Sequence, residues 1–265
     1  MAAMKTGTDH VFPVIGNRGL SLVGLVAFFG LWWGIAVSGL VQSQFLPTPW
    51  AVGVQFVELM QKPFVGYTLQ THLASSLGRF AMGFGLAVAI GVPLGLAMGW
   101  FRTLDAIVTP LFDALRFVAP IAWVPFAALW FGTGIGGPVL IIFSGAFPPC
   151  VINAYRGAKY VEPRFIEAAR MLGVGNVRMV TEVLLPASVP SIVAGLRISA
   201  GLGWQSLIGA ELIVASSGIG YLMVKGQSNI STAIVMSGMI AIGIVGVVID
   251  VLLRALQARI ERHRQ

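Results

Sequence analysis

Apolar residues recur along this chain in stretches of about twenty, the length an α-helix needs to cross a hydrocarbon layer about 30 Å thick. Six such stretches are legible: 20–41, 76–100, 106–131, 137–155, 190–214 and 233–256. Lipid offers no hydrogen bonds, so a backbone inside it must satisfy its own polar groups, and repeated stretches of this length point to a bundle of spanning helices. Charged residues make up 10% of the chain, against about 25% in a soluble domain. The third stretch is the least regular, because Asp113, Arg116, Pro120 and Pro125 interrupt it. The first follows Lys5 and Arg18, yet it exceeds the 7–15 apolar residues of a secretory signal. It reads as an uncleaved membrane helix, and the whole as an all-α polytopic membrane protein.

A formal net charge of +7 would suit a nucleic-acid partner, but the basic residues sit between the apolar stretches. With the N-terminus placed in the cytoplasm, cytoplasmic segments hold twelve: Lys5, Arg18, Arg102, Arg156, Lys159, Arg164, Arg170, Arg178, Arg254, Arg259, Arg262 and Arg264. External segments hold two, Lys62 and Lys225. That asymmetry follows the positive-inside rule and puts both termini in the cytoplasm. The expected organisation is a cytoplasmic segment 1–19, a membrane domain 20–256 that includes a long cytoplasmic loop 156–189, and a cytoplasmic tail 257–265.

Two features of packing are expected. Gly83, Ala87, Gly91, Gly95 and Gly99 recur every four residues in the second stretch, and Gly195, Ser199 and Gly203 in the fifth. Such stripes let helices approach closely, within one subunit or between two. A short external helix is expected near 50–61, after Leu46-Pro47-Thr48-Pro49.

The loop 156–189 is of mixed charge and poor in glycine and serine, which predicts a folded segment. Pro163 suits a first helical turn. Phe165, Ile166, Ala169 and Leu172 give a small apolar face, and Gly173 supplies a left-handed cap. The expectation is a two-turn amphipathic helix outside the membrane, shaped to dock into a groove on a partner.

Glu167-Ala168-Ala169, three residues, Gly173, nine residues, Val183, Leu184, Leu185-Pro186 resembles the EAA signature of ABC importer permeases, with Val183 where Ile is usual. The likeness runs from about residue 70 to the C-terminus. It includes His72-Leu73-Ala74-Ser75-Ser76-Leu77-Gly78-Arg79, Pro120-Ile121-Ala122-Trp123-Val124-Pro125, Gly203-Trp204, Ala210-Glu211-Leu212-Ile213 and Ser217-Gly218-Ile219-Gly220. Together these look like the nitrate/sulfonate/taurine/bicarbonate permease family. Residues 1–65 match weakly beyond Leu46-Pro47.

The resemblance implies a type I ABC importer permease fold of about six transmembrane helices in a bacterial inner membrane. Two permease subunits would pair, as a homodimer on this single-chain match. Two cytoplasmic ATPase subunits would bind ATP and magnesium, and an external or periplasmic solute-binding protein would deliver a small anionic solute. Glu167, Ala168, Ala169, Gly173, Leu185 and Pro186 would form the ATPase-coupling segment. Arg116, Trp123, Arg197, Trp204, Gln205 and Glu211 are candidates to line the path, with Ser206 beside them, because ionisable and polar groups within spans face protein or water. Asp113 and Arg116 are spaced to pair on one helix face. Arg79 and Asp250 sit near span ends, as interface anchors.

No phosphate loop, HExxH, Cys/His cluster or GxSxG elbow occurs in the sequence, so the chain is expected to be non-catalytic and to hold no cofactor or metal itself. The single cysteine, Cys150, reads as a small buried residue. His10, His72 and His263 read as interface or solvent residues. Two alternatives remain at this point: an ion-coupled secondary transporter of a small organic anion, for which the loop 156–189 has no use, and an intramembrane enzyme, for which the clustered His, Asp or Glu are missing.

Overall fold

The computed structural model describes residues 17–132 and 134–262. Among them the regular elements are helical, apart from one isolated bridge between Phe64 and Tyr67. Lys5, His10, His263 and Arg264 lie outside the described residues. The elements are α1 (Asn17–Val37), α2 (Pro49–Gln61), α3 (Leu69–Trp100), α4 (Arg102–Arg116), a 3-10 turn Pro120–Trp123, α5 (Val124–Phe131), α6 (Gly136–Lys159), α7 (Pro163–Met171), α8 (Asn176–Arg178), a π-helical turn Met179–Leu184, α9 (Leu185–Ile213), α10 (Ile219–Ser228) and α11 (Thr232–Arg262).

The small-residue stripe of α3 fixes how the bundle is built. A Cβ at Gly83 would meet Ile142, one at Gly91 would meet Cys150, and one at Gly99 would meet Ala158. The offset is 59 residues each time, so α3 and α6 run parallel in a constant register. Gly195 and Gly203 of α9 press on Asn153 and Ala146 in the opposite order, so α9 lies antiparallel to α6 on its other side. Both stripes therefore serve packing inside one subunit, with α6 between α3 and α9. The central core is Phe80, Ile142, Ala200, Trp204, Leu207 and Val245. Trp204 Nε1 donates to the Ile242 carbonyl at 3.2 Å, and Arg197 meets Asp250, which sets α11 antiparallel to α9.

Parallel α3 and α6 force a crossing between them. The chain leaves α3 at Trp100 and re-enters at the opposite end of α6. That helix has 24 residues and is about 36 Å long at 1.5 Å per residue. Only α4, the 3-10 turn and α5 are available to span it, and they do so bent by 89°. The third predicted span, 106–131, is thus a broken helix. Pro120 pushes Ala119 into an extended conformation (φ −56°, ψ 140°), which stops α4 and starts the elbow. With α1, α3, α6, the continuous stretch Asn176–Ile213 and α11, the described residues offer five helices long and apolar enough to cross a membrane, and a sixth crossing where the bent pair serves as one span.

Boundaries differ from expectation mainly by extension. The fifth span starts at Asn176 rather than 190, and the sixth runs to Arg262, so residues 257–262 of the expected tail continue the helix. Pro186 lacks the N–H that would bond back one turn, and the wide π-helical turn directly before it absorbs that break. One end of the bundle carries Trp100, Lys159 and α7, and is called the coupling end after the role the sequence leads one to expect of α7. At the other, distal end, α2 and α10 pack across the starts of α3 and α11 through Leu59, Leu69, Ile219, Leu222 and Ile234. Pro49 opens α2, and Thr48 Oγ1 caps it by accepting from Ala51 N–H at 3.2 Å. Helix α1 meets the rest where Trp32 Nε1 donates to the Pro47 carbonyl at 3.1 Å; Leu22, Val26 and Leu31 on it are exposed, as suits a surface against lipid.

Candidate functional site

Two regions gather the residues singled out by the sequence. The first is the coupling end. Helix α7 begins at Pro163 and closes in a left-handed cap. Gly173 has φ +74°, its N–H bonds to the Arg170 carbonyl, and Val174 N–H bonds to the Ala169 carbonyl, which is the Schellman pattern. Ala169 is buried against Met179 and Leu184, with Ile166 and Trp100 beside them. The Arg170 guanidinium lies 5.7 Å over the Trp100 ring, tying α7 to the end of α3. The expected apolar face is split. Ile166 and Ala169 face inward, but the turn at Gly173 swings Leu172 outward, where it and Met171 are each 83% exposed. Glu167, Ala168, Leu185 and Pro186 are exposed as well. The segment is thus seated on the bundle by one face and offers a second, partly apolar face to whatever lies beyond.

The second region is a cleft of about 640 Å³ between the elbow, α6 and α9. Arg116 and Phe117 of the elbow, Asn153 and Arg156 of α6, and Gln205 and Ser206 of α9 line it. Pro148 and Pro149, also on its wall, leave the Ser144 and Gly145 carbonyls without an N–H four residues on. Helix α4 is amphipathic in an inverted sense. Ile107, Leu111 and Leu115 point outward and are exposed, while Asp105, Thr109 and Asp113 are turned toward α6. Tyr155 OH and Thr109 Oγ1 both donate to Asp105, at 2.9 and 2.6 Å. Arg116 Nε and Asp113 Oδ1 are 2.7 Å apart, the pairing their spacing predicts.

The structure brings Arg116 and Gln205 into this cleft and sets Trp123 in an adjoining hollow with Arg116 and Ser144. It does not bring Arg197, Trp204 or Glu211 there. Trp204 is a core residue, edge-on to Phe80 at 5.5 Å. Arg197 is held by Asp250, which also binds Arg254, so Asp250 is a bridge between α9 and α11 rather than an interface anchor. Glu211 is sealed in the distal half. Its carboxylate accepts from Arg79 Nη1 at 2.8 Å, from Ser76 Oγ at 2.8 Å and from Gly220 N–H at 3.0 Å. Arg79 also reaches the Ser217 carbonyl and hydroxyl, each at 2.7 Å. It is therefore a buried strut and not a snorkelling anchor. His72, expected near solvent or an interface, is fully buried, its Nδ1 accepting from Gly218 N–H at 3.1 Å.

Comparison with known proteins fits this geometry. The family model of the binding-protein-dependent transport system inner membrane component matches residues 91–265. The chain belongs to that family. It is 35% identical to the taurine transport system permease protein TauC of Escherichia coli, over 94% of this chain and 91% of that protein. It is 33% identical to the bicarbonate transport system permease protein CmpB of Synechococcus elongatus, over 92% of this chain and 90% of that protein. Among solved structures, a chain of the MetNI methionine ABC transporter superposes with a TM-score of 0.62 at 18% identity, covering 72% of this chain and 95% of that one. The protein is the non-catalytic membrane permease subunit of an ABC importer, a multi-pass inner-membrane component that works with separate ATPase subunits and a solute-binding protein. Membership in this family displaces the secondary-transporter and intramembrane-enzyme alternatives.

Arg156, Asn153 and Arg79 matter here without having been marked for these roles in the sequence. The sequence presents Arg156 only as a cytoplasmic charge. Asn153, alone among apolar neighbours, was the available signal for a wet wall. Arg79 and Glu211 were each visible as charges within spans, but 132 residues separate them.

Proposed function

We propose that this subunit carries a small anion, of the sulfonate, bicarbonate or nitrate type, through the cleft at the elbow, with Arg116 and Arg156 as its positive wall and Trp123, Asn153, Gln205 and Ser206 as its uncharged one. The observation that carries this reading is the inverted amphipathicity of α4. A helix that turns apolar residues outward and polar ones inward, inside a membrane, borders water or substrate rather than a dry core. Two guanidiniums favour an anion, and Arg116 also offers a planar fork suited to oxyanions. The relatives named for taurine and bicarbonate transport fit that class. The freed Ser144 and Gly145 carbonyls would suit an ammonium group if the solute is a zwitterion such as taurine.

In this reading the permease pairs with an identical copy. The α7 segment, with Glu167, Ala168, Ala169 and Gly173 and with Leu185 and Pro186 behind it, seats in a groove of the ATPase that binds ATP and magnesium. The coupling end, segment 1–19 and the tail 257–265 lie in the cytoplasm. The test is purification of the tagged protein from its own membrane, followed by uptake in vesicles. The expected result is a stoichiometric ATPase subunit, lost in Glu167→Arg and Gly173→Leu variants. ATP-driven uptake of radiolabelled taurine, bicarbonate or nitrate should accompany it and fall in Arg116→Gln. Retention of the ATPase in both coupling variants overturns the docking role of α7, and unchanged uptake in Arg116→Gln overturns the path.

A further inference from the structure

Two residues at the distal end hold backbone conformations that their side chains disfavour. Helix α10 closes in the same Schellman pattern as α7, with Ile230 N–H bonded to the Gln227 carbonyl and Ser231 N–H to the Gly226 carbonyl. In α7 the left-handed position is Gly173; in α10 it is Ile230, at φ +55°. Between α2 and α3, Phe64 and Tyr67 exchange backbone hydrogen bonds across a two-residue turn, with Val65 at φ +55° and Gly66 at φ +83°. Such a turn is ordinarily built from Asn-Gly or Asp-Gly. A β-branched residue with positive φ is a genuine outlier, and strain of this kind persists where function keeps it. Packing does not account for it at Ile230, which is 69% exposed, and Val65 keeps 36% of its surface open to a partner.

The two strained residues are linked through α10. His72 bonds Gly218 at the start of α10, and its ring lies 5.6 Å from Tyr67 of the Val65 turn. Ile230 follows the last turn of α10, a helix of 10 residues and roughly 15 Å. Gln227, Ser228 and Asn229 around Ile230 are exposed, which places it in water rather than lipid. At Ile230 the polar neighbours form a rim around an apolar centre, the anatomy of a reversible protein–protein contact; a permanent contact with a second permease copy would present a broader apolar strip. This end is also the one opposite α7. We propose that Ile230 and Val65 are the apolar anchors on which the solute-binding protein docks, held in strained turns because the contact needs their side chains where Gly or Asn would suit the backbone better. The proposal rests on the importer reading above.

The test uses the reconstituted importer with its ATPase and its solute-binding protein, and the variants Ile230→Gly and Val65→Asn. Both relieve backbone strain, so each should raise the melting temperature by about 2–4 °C. At the same time, the solute-binding protein should need at least about fivefold higher concentration to half-saturate ATPase stimulation, with the maximum kept. A higher melting temperature with an unchanged half-saturation point overturns the proposal, because the strain is then incidental. A lower melting temperature also overturns it, because the side chains are then packing residues. Were the wild-type importer to show no stimulation by any solute-binding protein, the importer reading itself would fall and this docking surface with it.

Discussion

Arg79 and Glu211 form an ion pair of 2.8 Å in which the side chains are 8% and 0% exposed. The pair ties α3 to the end of α9, and the same carboxylate holds Gly220 at the start of α10. A Cβ at Gly218, where φ is +110°, would strike that carboxylate, so the loop and the pair fit only together. Taking one partner from a desolvated pair leaves a bare charge, which costs about 3–5 kcal/mol. Glu211→Gln is therefore expected to destabilise the detergent-purified protein by an amount in that range, read from thermal unfolding. Arg79→Met combined with Glu211→Leu should cost less than the sum of its single variants, since no charge is left alone. Simple additivity in that cycle would mean the two charges do not depend on one another.

Contact between α3 and α6 gives a paired test with an internal control. A Cβ at Gly95 would run into the Val151 carbonyl and the Ala154 side chain, whereas one at Gly85 would meet nothing within 4 Å. Backbone cannot swing aside as a side chain can, so Gly95→Ala should destabilise by about 1–3 kcal/mol. Gly85→Ala, in the same helix, should stabilise by about 0.5–1 kcal/mol through lower chain entropy in the unfolded state. Equal effects at the two positions would remove the 59-residue register as the organising contact of the bundle.

Much of this architecture was legible because membrane physics acts on short windows. Span number, the helix at 50–61, the glycine stripes and the cap at Gly173 each depend on residues within a turn or two of one another. What escaped depends on distance in sequence. Arg79 looked like an anchor because nothing near it in the chain reveals Glu211, and Asp250 looked the same until Arg197 met it. Trp204 and Gln205 are neighbours in sequence, yet one is core and the other faces the cleft, a choice made by the rotation of α9. The elbow was half legible. Pro120 and the charges of α4 mark 106–131 as irregular and place the break, but the size of the bend, 89°, depends on how α4 and α5 pack against α6, which no local pattern encodes.

The cleft separates two arginines that the sequence treats alike. Arg116 faces open volume, and its partner Asp113 is half exposed, so its guanidinium can exchange that partner for a passing anion. Arg197 is held by Asp250 at 2.5 Å. Loss of a charge-assisted hydrogen bond of about 1.5–3 kcal/mol should weaken apparent affinity for the solute roughly 10- to 150-fold, so Arg116→Gln is expected to raise the half-saturating concentration for uptake by that factor. Arg197→Leu should act instead on stability, by releasing Asp250 to Arg254 alone, with uptake per folded importer kept. Kinetics of uptake normalised to folded protein distinguish the two, and a large affinity loss in Arg197→Leu would move the anion path from the elbow to the α9–α11 face.

The orientation proposed from charge is open to direct labelling. The distal segments place Lys62 beyond α2, and the coupling end carries Arg164 on α7, whose side chain is 73% exposed. Cys150 is buried beside Ser199, to whose Oγ its Sγ–H donates at 3.1 Å, and its replacement by Ser keeps a donor for that buried hydroxyl. On that cysteine-free background, Lys62→Cys is expected to react with a membrane-impermeant maleimide added to intact cells. Arg164→Cys is expected to react only after the membrane is opened. The reverse pattern would put α7 outside, where no ATPase could reach it, and would contradict the excess of basic residues at the coupling end, since translocating arginine across the bilayer is what the positive-inside bias avoids.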